Sequence, residues 1–201
     1  MSEFLLLFSL FSGFVLLNAE LWEKDVSSEM KIPLSTTGFQ SVDLRCDADH
    51  FTVNVTLDSV FEGVVYIRGT YNDKKPPCFK RHDQTLLREK DRITIGMRIP
   101  FNKCRTVMDV AESCYSNTLV VQHDPELIMP GDAAFNLDCS FEPEFKVTSN
   151  VSAEAVFKSK ISLVNADPSV KTNLNDSKFT VSSQTDKVSF VPKGQVKKDE
   201  L

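Results

Sequence analysis

The sequence is poor in the residues and patterns that carry catalysis. It holds 3 histidines in 201 residues, and G-x-S-x-G, H-E-x-x-H, G-x-x-x-x-G-K-S/T and G-x-G-x-x-G are all absent. No C-x-x-C occurs, which removes the usual motif of a thiol oxidoreductase. A nucleophilic dyad would have to combine Cys114 with His123, and a zinc site would have to draw on Cys46, His50, Cys104 and Cys114, which lack paired short spacings. The acidic residues are scattered. A non-enzymatic protein without cofactor or metal is therefore expected. Positive charge is also lacking: 23 Lys+Arg against 28 Asp+Glu leave a formal net charge of -5, which excludes the basic footprint of a nucleic-acid partner. The 5 cysteines are too few for a disulfide-dense miniature scaffold but enough to staple one domain.

The two ends of the chain speak to its compartment. Residues 4–17 (FLLLFSLFSGFVLL) are an almost unbroken apolar run followed by Leu17-Asn18-Ala19, a small-residue exit suited to signal peptidase. The run is shorter than the ~20 residues a bilayer span needs, so 1–19 reads as a cleaved signal peptide. No later run approaches membrane length, and no transmembrane segment is expected after cleavage. The last four residues, Lys198, Asp199, Glu200 and Leu201, spell KDEL, an address read by the KDEL receptor for return to the endoplasmic reticulum. The expected location is the secretory pathway: the reticulum lumen if that address is read, otherwise secretion from the cell. In either place cysteines mature under oxidising conditions, so paired sulfurs outrank zinc or a catalytic thiolate. Sequons at Asn54, Asn150 and Asn175 agree with this route.

Residues 20–41 form a polar lead-in without sustained periodicity, and strand signals follow. Val42 to Cys46 is the first. Phe51, Val53, Val55 and Leu57 then alternate with Thr52, Asn54 and Thr56, a half-buried strand with its sequon on the solvent face. Gly63 to Thr70, Ile93 to Ile99, Asn117 to His123 and Ala133 to Phe141 complete a set of six, separated by turn-rich linkers such as Met129-Pro130-Gly131-Asp132. Gln84 to Arg92 reads as a helical turn or a solvated loop. The pattern predicts an all-β chain, an Ig-like antiparallel β-sandwich. Residues 142–201 change texture, with no Cys, no Arg and nine Lys. Val151 to Leu163 and Phe179 to Val191 keep enough β-branched and apolar residues for further strands, so this tail is expected to be weakly ordered and partly β.

Several local patterns, in order, carry a family resemblance. A cysteine closes the first strand at Cys46, and residues 61–69 (FEGVVYIRG) match F-x-G-x-(V/I)-Y-V-(K/R)-G. Cys78 follows a loop, and Ile99-Pro100-Phe101-Asn102-Lys103-Cys104 matches an apolar-P-F-x-x-C pattern. Residues 117–123 (NTLVVQH) and 132–141 (DAAFNLDCSF) match T-x-V-V-Q-x-H and D-x-A-(F/Y)-x-(V/L)-x-C-x-Y. In these features residues 42–141 resemble the N-terminal half of a zona pellucida (ZP) domain, in the form found in invertebrate cuticlin-like proteins.

The resemblance implies two disulfides, Cys46 with Cys139 and Cys78 with Cys104. It also implies a role in matrix or cuticle assembly through strand edges and disulfides, with other ZP-domain or matrix proteins, or further copies of the chain, as partners. A complete ZP domain has a second module with its own cysteines. Residues 142–201 supply at most its opening strands, so the chain is expected to be truncated and incomplete for assembly. A different class of function is a lumenal binding protein that holds ZP partners or limits their assembly. Cys114 falls outside the four-cysteine frame. Its polar neighbours suggest a partly exposed turn, and it either serves an intermolecular disulfide or rests as a thiol buried or capped in a loop.

The mature protein is expected to begin near Glu20 and to carry an N-linked glycan at Asn54. Mass spectrometry of secretory-pathway material checks this, and an intact Met1 leader with unmodified Asn54 would contradict it.

Overall fold

A computed structural model describes residues 34, 36, 38–58, 61–83, 87–89, 92–143, 155–169, 180–183 and 185–192. Residues 1–19, expected to be a signal peptide, most of the lead-in, Asn150, Asn175 and residues 198–201 lie outside this set.

The described residues form twelve strands: β1 (Phe39–Cys46), β2 (His50–Asp58), β3 (Val64–Ile67), β4 (Phe79–Arg81), β5 (Leu87–Glu89), β6 (Arg92–Pro100), β7 (Val107–Asp109), β8 (Cys114–Gln122), β9 (Ala133–Pro143), β10 (Ala155–Val164), β11 (Thr180–Ser183) and β12 (Lys187–Phe190). One sheet runs β12-β1-β2-β6-β5. The other runs β11-β10-β9-β8-β3-β4, with β7 beside β3 on the same flank of β8. Every pairing is antiparallel, so the all-β sandwich expected from the pattern is the architecture observed.

The core lies between the sheets and follows the period of two. Phe51, Val53, Val55 and Leu57 of β2 are fully buried, as are Ile93, Ile95 and Ile99 of β6. Leu119, Phe135, Leu137 and Ile161 meet them from the second sheet. Each such side chain withdrawn from water contributes about 1.5–3 kcal/mol against the entropy of ordering the chain. A register shift between Phe39 and Ser41 lets Phe39 and Val42, three residues apart, both face inward. Phe39 then meets Phe135 edge-to-face at 5.2 Å, and Phe190 of β12 packs on Phe135 at 5.5 Å.

Two elements differ from the sequence reading. Leu87 to Glu89 is strand β5, not a helical turn, because it returns as a hairpin onto β6, whose edge would otherwise be unpaired. β8 begins at Cys114, three residues before the strand read from the pattern, because β9 continues opposite it as far as Ser140. The Lys-rich tail is partly β, as expected: it supplies β10 next to β9 and β12 next to β1, extending both sheets, with Ile161, Leu163, Val188 and Phe190 in the common core. The turn between β11 and β12 thus carries the chain from the edge of one sheet to the edge of the other, where Ser159 Oγ donates to the Thr185 carbonyl at 2.9 Å.

β3 is short and buried along its whole length, and Gly63 leads into it against the end of β8. A Cβ on Gly63 would sit 1.9 Å from the Gln122 carbonyl oxygen and 2.7 Å from that of His123, both backbone atoms. Gly63→Ala is therefore expected to lower stability by about 3 kcal/mol or more, because β3 has to leave β8 to make room. Denaturant unfolding checks this; a loss below about 1 kcal/mol would show that the two strands part without cost.

Candidate functional site

Two bridges frame the sandwich. Cys46 at the end of β1 joins Cys139 in β9, across the two sheets, with Cα atoms 5.7 Å apart. Cys78 joins Cys104 at 5.3 Å, tying the loop that holds the cis Pro76–Pro77 peptide to the turn after β6. Cys104 and Arg105 both have positive φ, 55° and 56°, which turns the chain sharply toward β7.

The remaining motif residues converge at one end of the second sheet. Gln122, buried, accepts from Tyr66 Oη at 2.9 Å through Oε1 and donates to the Asp124 carbonyl at 2.7 Å. Burial pushes the Tyr66 phenol up to about 12, so it stays a donor. Asp132, also buried, accepts from the backbone N–H groups of His123 and Met129 at 2.8 and 2.7 Å. The His123 ring lies 3.1 Å from the same carboxylate and meets Phe61 edge-to-face at 5.4 Å. These residues form a hydrogen-bonded clasp that sets β3 and the loop after β8, a structural task.

The chemical alternatives separate in space. Cys114 begins β8 and His123 follows its other end, about 30 Å away along an extended strand, out of reach of a dyad. Cys46 and Cys104 are disulfide-bonded, which leaves no such zinc set. Cys114 sits in the strand and is buried, not on an exposed turn. Its polar neighbours misled because the residues opposite, Ser140 and then Lys158, extend the sheet beside it. Burial pushes its thiol up, the carboxylates of Asp138, Glu112 and Asp109 add to that, and a hydrogen bond with Ser116 opposes it.

The surface carries features the sequence reading passed over. β7 lies at an edge, pairs with β8 among the described residues, and has all three residues exposed. Val107 is 63% and Val110 81% exposed, with Met108 between them in the chain. At the far end of β8 the loop after Gln122 presents Leu127, Ile128 and Met129, its start braced by Asp124 accepting from the N–H groups of Glu126 and Leu127. The signal was visible as apolar triplets inside turn-rich stretches, where a core has no use for them. The outer face of the second sheet divides in two. One half, Val120, Ala134 and Val164, is covered by Tyr66, Phe79 and Tyr71. The other is polar: Thr118, Asn136 and Ser162 form one rung across β8, β9 and β10, and Ser116, Asp138 and Lys160 the next.

Asn54 lies on the outward face of β2, opposite Gly96 of β6, so no side chain crowds the sequon from that neighbour.

The cuticlin N-terminal domain family matches residues 41–141, which reach from β1 into β9. Cuticlin-1 of Caenorhabditis elegans is 27% identical over 128 residues, 62% of this chain and 28% of that protein. Cuticlin-3 of the same organism is 25% identical over 128 residues, 62% of this chain and 31% of that protein. The chain thus spans under a third of the length of these relatives. No solved structure matches it. With the two bridges, the clasp and the family match falling on the same stretch, the chain belongs to the cuticlin N-terminal domain family, a ZP-like module.

Proposed function

We propose that this protein is a non-enzymatic component of a cuticle or comparable extracellular matrix, and that it associates with ZP-type partners or with itself through the β7 edge. The exposed edge strand with its apolar side chains carries the reading. Its outer N–H and C=O groups are a template for another strand, and Val107, Met108 and Val110 add apolar area to the same contact. The exposed triplet at Leu127 lies at the opposite end of β8, so one molecule offers two unlike apolar surfaces, the geometry of head-to-tail association. Cys114 is a poor candidate for the covalent link expected from its odd number, since a buried, protonated thiol exchanges slowly.

A second reading rests on the sequence Lys198-Asp199-Glu200-Leu201. Under it the same edge holds full-length ZP partners in the reticulum lumen, capping them before export.

Sedimentation velocity of the secreted chain tests the edge. Wild type is expected to self-associate non-covalently and to run as monomer on a non-reducing gel, while Met108→Lys with Val110→Lys weakens association about tenfold to a hundredfold. Equal association of variant and wild type would remove β7 from the interface. Imaging the chain against a version with Gly added after Leu201 separates the two readings: lumenal retention lost on adding Gly supports the second, and export of both supports the first.

A further inference from the structure

The polar half of the second sheet's outer face is the least explained surface of the molecule. Arg68, Arg105 and Lys160 border a cleft of about 420 Å³ floored by Thr118, Asn136 and Ser162. Asp138 is the one carboxylate among the lining residues, so the cleft holds two positive charges in excess on a chain whose formal net charge is -5. A second hollow of about 660 Å³ shares Ser116, Asp138 and Lys160 with the first, adds Lys158 and Glu112, which leave the excess of two positive charges unchanged, and continues to Ser182 and Ser183 of β11. Together they make a trough across four strands, about 14 Å at the usual strand spacing.

The cations are set in place by the backbone. One Arg68 nitrogen donates to the carbonyls of Asn165 at 2.6 Å and Ala166 at 3.3 Å, which fixes its planar fork at the rim. Gly69, with φ +82°, lets the Arg105 side chain lie over the turn: a Cβ there would sit 3.1 Å from Arg105 Nη1. Two guanidinium groups are thereby brought to the lining of one cleft, where planar forks suit a sulfate or carboxylate. Neither part of the trough is lined by an aromatic ring, and Val107 and Cys114 are the apolar residues of the two linings, so the trough offers neither a stacking platform for a neutral sugar nor anchor pockets for peptide side chains.

We propose that this trough binds an anionic oligosaccharide, its sulfate or carboxylate groups held by Arg68, Arg105 and Lys160 and its hydroxyls by the Ser, Thr and Asn floor. The charge excess and the hydroxyl-lined floor favour such a ligand over an acidic peptide.

The test uses the full secreted chain and a heparin hexasaccharide, titrated at about 50 and 150 mM salt. Binding that weakens with salt is expected. Arg105→Gln and Lys160→Gln each reduce affinity about fivefold, the double variant about twenty-five-fold, and Lys75→Gln, outside the trough, leaves it unchanged. Circular dichroism and intact disulfides confirm that each variant is folded. The proposal is overturned by absence of wild-type binding, by equal binding of an uncharged hexasaccharide, by trough variants that behave like wild type, or by loss in Lys75→Gln as large as in Arg105→Gln. A poly-glutamate peptide that binds more tightly through the same residues overturns it in favour of an acidic peptide.

Discussion

Much of this molecule depends on the covalent contact between Cys46 and Cys139, which ties β1 in one sheet to β9 in the other across 93 residues of sequence. Closing so long a loop removes about 4–5 kcal/mol of freedom from the unfolded chain on the chain-entropy account. More consequential is what the bridge positions. β1 and β9 are the strands on which the later part of the chain docks, β12 on the first and β10 on the second. Holding those two strands at a set separation prepares both templates at once, so the segment after residue 154 adds its strands to a frame already built. The aromatic residues around the bridge fill that frame: Phe101 stacks on Tyr115 at 4.2 Å, and Phe141 meets both rings edge-on.

How much could be read from the sequence follows from where each residue's energy is spent. β2 was legible because its two faces see different solvents, and alternation records that difference directly. β4, β5 and β7, of three residues each, were not, since an edge strand is held by backbone pairing with a neighbour and needs no side-chain pattern. The strands of the tail were legible on the same ground as β2, in spite of its composition. In β10, Ile161 and Leu163 point inward while Lys160 and Ser162 point out, and in a sheet with one wet face a polar composition is no argument against order. The clasp was visible as a motif, although the purpose of its members was not. Gln122, His123 and Asp132 have the side chains of an active site and use them to satisfy each other and the backbone. Arg68 stands at the (K/R) position of a motif, but its meeting with Arg105 and Lys160 left no trace in the sequence, because the three converge only through the fold.

The contrast between the two halves of the second sheet's outer face shows how one surface can be divided between tasks. Tyr71 closes the apolar half and donates its hydroxyl to the Pro125 carbonyl, which links the turn after β3 to the loop after β8. Rungs of hydroxyls and amides on the other half are satisfied within the sheet, as in Thr118 to Asn136 at 2.8 Å and Ser116 to Asp138 at 2.7 Å. That face can stay wet without cost to the core beneath it.

The nesting of the bridges has a mechanical meaning. Cys78 and Cys104 lie within the span closed by Cys46 and Cys139. When tension enters the chain before Cys46 and leaves it after Cys139, the load passes through the sulfur–sulfur bond and bypasses the residues between them, a sequence separation of 93. That span, about 300 Å if drawn out, stays slack under pull. The strands outside it, β1 and β10 to β12, carry the load, while β2 to β8 between the cysteines are shielded from it.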